Sequence, residues 1–260
     1  MRHTLPNPER IRRIALVTDF GTSLYIGQMH ARLDAMVPGV PVIDLAHDLA
    51  PFRSDLAAYL LPALLRDMPE GTAYLAVVDP GVGGARDALL VLADGVCLVG
   101  PDNGLFAPLV RRAAEVSVWR VGWQPGQMSA SFHGRDWFAP ILGRLCQGLD
   151  LGLIPLAGTS IVGADWPREL AHILHVDHFG NLITGLDARA ADAGRTLAAG
   201  HWRLGWARTF CEVSAGEPFW YANAFGLVEI AVNQGRADQL LGLGVGDPIL
   251  GFMPRDAVTA

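Results

Sequence analysis

Lysine is absent: all 20 basic residues among the 260 are arginine, a bias that points to genomic base composition rather than to chemistry. Against 26 acidic residues they leave a formal net charge of −6, so no overall positive field draws in nucleic acid or an anionic membrane surface. Cysteine is scarce as well. Cys97, Cys146 and Cys211 are odd in number and share no short spacing, which argues against a disulfide framework or a zinc knuckle and fits a reducing cytoplasm. No run of 18 apolar residues escapes a charge or a breaker, so no membrane span is expected. The segment from Met1 to Arg13 lacks the apolar stretch of a secretory signal. Also missing are Gly-x-Gly-x-x-Gly and Gly-x-x-x-x-Gly-Lys-Ser/Thr, the usual backbone cradles for pyrophosphate and triphosphate. A nucleoside bound here is not expected to be held through phosphates.

What the sequence does contain is a globular pattern in two styles. At 51% hydrophobic and 18% charged, the chain is too apolar for disorder and long enough to bury roughly 70–75% of its unfolded surface without staples. From Ile14 to about Arg120, short apolar runs alternate with longer amphipathic ones, the pattern of a sheet covered by helices. Residues 14–18, 41–45 and 73–78 read as buried strands, and 27–36 and 54–67 as helices, the second with Ser54 placed to cap it. Residues 88–92 and 96–99 read as a hairpin around Ala-Asp-Gly, and 136–147 as a further helix. Beyond the Gly- and Pro-bearing stretch 149–167 come short strand-like segments at 171–176, 182–184, 202–206, 227–232 and 248–252, with one helix at 236–241. The expected fold class is α/β: an N-terminal α/β sheet domain (1–160), a linker (161–167) and a smaller C-terminal β-barrel-like domain (168–260).

Four polar clusters fall at strand ends or tight turns: Thr18-Asp19-Phe20-Gly21; Asp79-Pro-Gly-Val-Gly-Gly-Ala-Arg86; Pro101-Asp-Asn-Gly104 with Ser131-Phe-His-Gly-Arg-Asp136; and Asp177-His-Phe-Gly-Asn181. Ligands of open α/β sheets bind beyond the carboxyl ends of the strands, and Asp19 and Asp79 each follow an apolar strand, so both are expected in one crevice. Each also has a plainer reading. Asp19 suits a turn cap, or a carboxylate accepting from both hydroxyls of a ribose. Asp79 opens a Gly-rich turn, and Arg86, seven residues on, can fold back to it. A solitary His is more often a surface or core residue, but His133 sits in Phe-His-Gly-Arg-Asp before a helix. There carboxylate, guanidinium and imidazole can together orient and activate one water. Asp177–Asn181 by itself reads as a hairpin turn.

In order, Thr18-Asp-Phe-Gly21, Val78-Asp-Pro-Gly-Val-Gly83, Pro101-Asp-Asn-Gly104, Phe132-His-Gly-Arg-Asp136 and Phe179-Gly-Asn181 resemble the S-adenosyl-L-methionine hydroxide adenosyltransferase family, water-using relatives of the fluorinase and chlorinase. The resemblance runs from about Ile14 to Phe252. It implies attack of water at the ribose C5′ of S-adenosylmethionine, releasing methionine and adenosine, with no cofactor and no metal. It places the catalytic set on Asp79, Arg86 and His133 and the ribose hydroxyls on Asp19. Phe52 falls where the fluorinase has a Trp, and Phe20, Ser23, Asn103 and Phe132 complete that substrate wall. The second wall follows: Asp177 matches the acid on the methionine ammonium, Asn181 the amide on the adenine edge, and Phe210 an aromatic beside the base. Asn223 falls in the family's Asn-Ser position. Family members place the two walls on neighbouring subunits, which implies a homotrimer.

Three departures accompany the resemblance. Thr22-Ser-Leu24 runs a residue short where an acidic residue is usual, with Ser23 as its substitute. Ala224-Phe225 replaces a Ser and the Arg that the fluorinase uses for the methionine carboxylate, leaving that group to backbone N–H donors. Gly185 stands for a usual Asn. Three other readings compete: a chlorinase, a non-catalytic sensor of adenosine or S-adenosylmethionine, and a metallohydrolase built from Asp19, Asp79, His133 and His178. No His-x-x-x-His or Cys-x-x-Cys spacing supports the last. A carboxylate at Asp79, where the fluorinase has Tyr, would repel a halide, so water is the expected nucleophile.

Overall fold

Ile14, Ala15, Leu16 and Val17 are wholly buried, as a strand covered on both faces requires, and they form the centre of β1 (Arg13–Thr18). In the computed structural model, which describes residues 7–191 and 193–253, the chain divides into two units between Trp166 and Pro167. The first continues through α1 (Tyr25–Met36), β2 (Val42–Ala46), α2 (Ser54–Leu65), β3 (Thr72–Val77), β4 (Ala88–Ala93) and β5 (Val96–Pro101). It ends with α3 (Ala107–Arg112), β6 (Val116–Val121), α4 (Ala139–Cys146) and β7 (Leu153–Leu156). Its sheet has the order β2-β1-β3-β5-β4-β6-β7. The first four of these are parallel neighbours, and β4, β6 and β7 continue it antiparallel. Ile14 and Leu16 share one apolar cluster with Met29 and Leu33 of α1 and Ile141, Leu142 and Leu145 of α4, while α2 packs with α3. Alternate residues of β1 point to opposite faces, so Ala15 and Val17 are buried on the other side.

The βαβαβ run and the hairpin expected from the sequence are present; α3, β6 and β7 are additions to it. Ser54 does not cap α2. It is the helix's first residue, and its hydroxyl donates to the Asn103 carbonyl at 3.2 Å, tying α2 to the loop after β5. Residues 161–166 pack on the first unit: the Val162 N–H donates to Asp102 at 2.9 Å, and Ile161 is buried.

The second unit holds β8 (Leu170–Val176), β9 (Leu182–Asp187), β10 (Leu197–Ala199), β11 (Trp202–Leu204), β12 (Pro218–Ala222), β13 (Leu227–Val232), α5 (Ala237–Leu241) and β14 (Gly251–Phe252). They form two antiparallel sheets, β12-β13-β9-β8 and β11-β10-β14. Single bridges, Trp206 to Trp220 and His172 to Pro248, join the sheets edge to edge. Neighbours can therefore be followed all the way round, barrel-like, although no continuous ladder closes the circuit among the described residues. Ile173, Leu182, Trp220, Val228 and Ile230 fill the interior. Among the described residues no helix is long and apolar enough to cross a membrane, and the three cysteines are unpaired.

The end of β1 is held from beneath by a network with little sequence signature. The wholly buried Thr18 pairs its hydroxyl with His47 Nδ1 at 2.7 Å and accepts the Phe20 N–H at 3.2 Å. His47 Nε2 meets Asp44 Oδ1 at 2.9 Å, and His30 Nε2 from α1 meets the same oxygen at 2.7 Å. The His47 carbonyl accepts the Gly21 N–H at 2.6 Å. Burial works to raise the Asp44 carboxyl, but the hydrogen bonds from His30 and His47 outweigh it and hold the group below its ordinary value. Thr18→Val keeps the shape of the side chain and removes its hydroxyl. With a buried N–H and a ring nitrogen left unsatisfied, it is expected to lower stability by about 1–3 kcal/mol in urea unfolding; a variant as stable as the parent would show that the turn is held without this hydroxyl.

Candidate active site

Two acids emerge where the sequence places them, at the carboxyl ends of adjacent parallel strands, and both line one cavity of about 350 Å³ in the first unit. Phe20, Ser23, Tyr25, Phe52, Phe132 and His133 share its walls. Beyond β3 the chain turns at Gly81–Gly84, and Arg86 comes back over it. Arg86 Nε lies 3.0 Å and 3.1 Å from the two Asp79 oxygens, and Nη2 closes the fork onto Oδ2. The pair is almost dry: the side chains are 5% and 9% exposed. Gly83 makes the turn possible, for its φ of +81° is a glycine conformation and a Cβ there would lie 2.7 Å from the Ala130 carbonyl oxygen. The guanidinium also stands over the rings of Trp137 and Phe138, at 5.6 Å and 5.2 Å.

His133 precedes a π-helical turn, Gly134–Phe138, that runs into α4; such turns recur at functional sites. Its ring is buried, packs edge-on against Trp137 at 5.5 Å, and leaves Nδ1 without a hydrogen-bond partner. Burial, with the positive charge of Arg86, lowers the His133 pKa, against the opposing pull of Asp79 and Asp136. At neutral pH the imidazole is therefore uncharged and able to accept a proton. The neighbouring Asp136 does not face the cavity chemistry: it takes Arg135 Nε at 2.6 Å and the Ser129 N–H at 2.9 Å, and the Arg135 hydrogen bond holds its carboxyl low.

Asp19 is pushed up by burial, opposed by hydrogen bonds from the Phe52 N–H at 2.9 Å and its own backbone N–H, with Asp79 adding repulsion. Phe52 adopts φ +64° and is 74% exposed, a strained backbone for an aromatic residue. Phe20, Tyr25 and Phe132 form an edge-to-face trio with centroids 4.9 Å to 6.1 Å apart. Ser23 lines the cavity while accepting the Tyr25 N–H. Asn103 does not line it. Its amide donates to the Val78 carbonyl at 2.8 Å, so it fixes the end of β3 instead.

The second unit has its own pocket of about 640 Å³, lined among others by Asp177, Phe179, Asn181, Phe210, Tyr221 and Arg236. Asp177 accepts the Asn181 N–H at 2.8 Å and its side-chain amide at 2.9 Å. Gly180, at φ +84°, has no room for a Cβ, which would meet Asp238 Oδ1 at 2.6 Å. Phe210 lies 5.5 Å from Tyr221 and 5.2 Å from Phe219, ring to ring, an aromatic wall suited to a flat base. Behind Tyr221 sits the buried Glu229, which accepts from the Tyr221 hydroxyl and, at 2.8 Å, from the Asn223 amide. Burial raises the Glu229 carboxyl against the pull of those two hydrogen bonds. Asn223 is not in the pocket lining: its Oδ1 takes the Phe225 and Leu227 N–H groups, both at 3.0 Å. Two backbone donors at this turn are therefore spent inside it.

Among the described residues no group of three or more His, Cys, Asp or Glu is arranged to hold a metal ion, and Asp79 already gives both oxygens to Arg86. Tyr25, Tyr221 and Glu229 carry no sequence signal beyond alternation and composition. His47 has a faint one, the three-residue spacing from Asp44 in the loop that leads to Phe52.

Comparison with known proteins covers both units. The model of the SAM hydroxide adenosyltransferase N-terminal domain matches residues 14–154, and that of the C-terminal domain matches residues 171–250. An (R)-S-adenosyl-L-methionine hydrolase of Thermus thermophilus is 41% identical over 259 residues, 92% of this chain and 99% of that protein. A fluorinase of Actinoplanes is more distant, 24% identical over 85% of this chain and 90% of that protein. The crystal structure of an uncharacterized conserved protein from Thermotoga maritima superposes with a TM-score of 0.82 at 28% identity, covering 93% of this chain and all of that one. Matched in order by both domain models over most of its length, the chain belongs to the SAM hydroxide adenosyltransferase family.

Proposed function

We propose that this protein hydrolyses S-adenosyl-L-methionine to adenosine and L-methionine by attack of one water on the ribose C5′. The observation that carries the chemistry is the dry Asp79–Arg86 pair beside a buried, neutral His133 on the cavity that also holds Asp19. The water oxygen forms the new bond to C5′, and the C5′–S electron pair moves to sulfur, which leaves as a neutral thioether. One proton is released. A sulfonium is already a good leaving group, so the protein has only to align and deprotonate the water, and no metal is called for. Arg86 occupies both Asp79 oxygens but leaves lone-pair directions on them, enough to orient a water. His133, uncharged, is the proton acceptor. Asp19 takes the ribose hydroxyls, and the aromatic wall with Asp177 and Asn181 takes the base and the ammonium.

Incubating the protein with S-adenosylmethionine, with and without chloride, and separating the products is the test. Adenosine and methionine are expected in both; 5′-chloro-5′-deoxyadenosine would make the protein a chlorinase, and binding without turnover would make it a sensor. Chelator should leave the rate unchanged.

Asp79→Asn and His133→Ala are each expected to reduce kcat by roughly 10²–10⁴-fold with smaller effects on affinity. Because burial and Arg86 depress the His133 pKa, the acid limb of the kcat profile should fall below the ordinary imidazole value of 6.5. A limb above that value, or a His133→Ala enzyme with an unchanged limb, would remove His133 from the proton transfer.

The protein works as a homotrimer, with the first unit of one protomer facing the second unit of its neighbour. Supporting this reading, the reaction residues and the aromatic wall lie on different units, and neither carries both. Mixed Asp79→Ala and Asn181→Ala subunits should regain a fraction of activity that neither shows alone. Proven hetero-oligomers without rescue, or a fully active monomer, would require a site made by one chain.

A further inference from the structure

His133 lies between two cavities. In front is the substrate cavity, which Asp79 also lines; behind is a second cavity of about 390 Å³, lined among others by Gly84, Arg86, Gln124, Met128 and Ala130. Arg86 lines the rear cavity and Asp79 the front one, so the ion pair and the imidazole form the partition. Two atoms of that partition are buried without a hydrogen-bond partner: His133 Nδ1 and Arg86 Nη1, the guanidinium nitrogen that Asp79 does not use. Buried polar atoms without protein partners are rare, and ordered water ordinarily satisfies them. Here both atoms belong to residues that line the rear cavity, His133 and Arg86.

There is a reason for such a route. Attack at C5′ must come from the side opposite sulfur, and a bound substrate fills the cavity in front. A water that exchanges with bulk solvent while substrate is bound needs a path that the substrate does not block.

We propose that the rear cavity is the water route of the active centre, its innermost water held by Arg86 Nη1 and His133 Nδ1. Water passes from it to the partition and becomes the nucleophile. The proton returns the same way: a neutral imidazole carries one N–H and one lone pair, so His133 takes a proton at one nitrogen and releases one at the other into the file. The oxygen stays on adenosine, the electron pair on sulfur and the proton in bulk solvent.

This inference rests on the hydrolytic reading, and its test separates the two. Ala130→Leu and Met128→Trp narrow the rear cavity without touching Asp79, Arg86 or His133. Each is expected to reduce kcat by about tenfold or more while the Kd for S-adenosylmethionine stays within about twofold, a loss confined to the chemical step. A crystal structure of the parent should show ordered water on Arg86 Nη1 and His133 Nδ1, which tests the route even if a variant misfolds. Parental kcat in both folded variants, a loss confined to affinity, or the absence of those waters would overturn the route. A parent that releases no adenosine would overturn the hydrolytic reading itself.

Discussion

Asp79 and Arg86 must be buried together or not at all. A lone carboxylate at the dry end of β3 would lose several kcal/mol of hydration, and removing one member of a buried pair typically costs about 3–5 kcal/mol. The fork between them is therefore a constraint on everything nearby. It requires the chain to double back within seven residues, which only a Gly-rich turn seated against the Ala130 carbonyl permits. It requires Trp137 and Phe138 beneath the guanidinium, which the π-helical turn supplies, and that turn begins just after His133. The imidazole thus owes its place, and through Arg86 part of its lowered pKa, to the same ion pair.

The electrostatics suit a cationic substrate that becomes neutral in the reaction. Arg86 cancels the charge of Asp79 locally, so this end of the cavity is polar without being strongly anionic. Asp19 keeps its carboxylate in a half-dry position through the Phe52 N–H. In the other unit, Asp177 is held ready by Asn181, and Glu229 locks Tyr221 in the aromatic wall. Acids suited to a cationic substrate therefore stand on both units, Asp19 on the first and Asp177 on the second.

Much of this is legible in residue order, and the physical reasons are plain. Asp19 and Asp79 stand out because a polar residue ending an all-apolar run has to lie at the rim of a sheet. Arg86 can be paired with Asp79 because the glycines between them announce a turn. Long-range partners are another matter. The contact of Thr18 with His47 spans 29 residues, and Glu229 reaches Tyr221 across two antiparallel strands; register, which no local pattern supplies, decides both. β12 is hard to see because Phe219, Trp220 and Tyr221 are all apolar or aromatic and break the alternation of a half-buried strand. Asn103 and Asn223 look like ligands because amides in turns bind substrates and shape turns equally well; here Asn103 spends its side chain on the backbone, and Asn223 divides its own between the backbone and Glu229.

The direct measurement is turnover in water enriched in oxygen-18, followed by mass analysis of both products. Attack of water at C5′ puts one label in the 5′-hydroxyl of adenosine and none in methionine, at a rate that Asp79→Asn and His133→Ala each lower. Label in methionine, an unlabelled nucleoside, or a halogenated one formed in chloride would contradict water activation at the Asp79–Arg86–His133 partition.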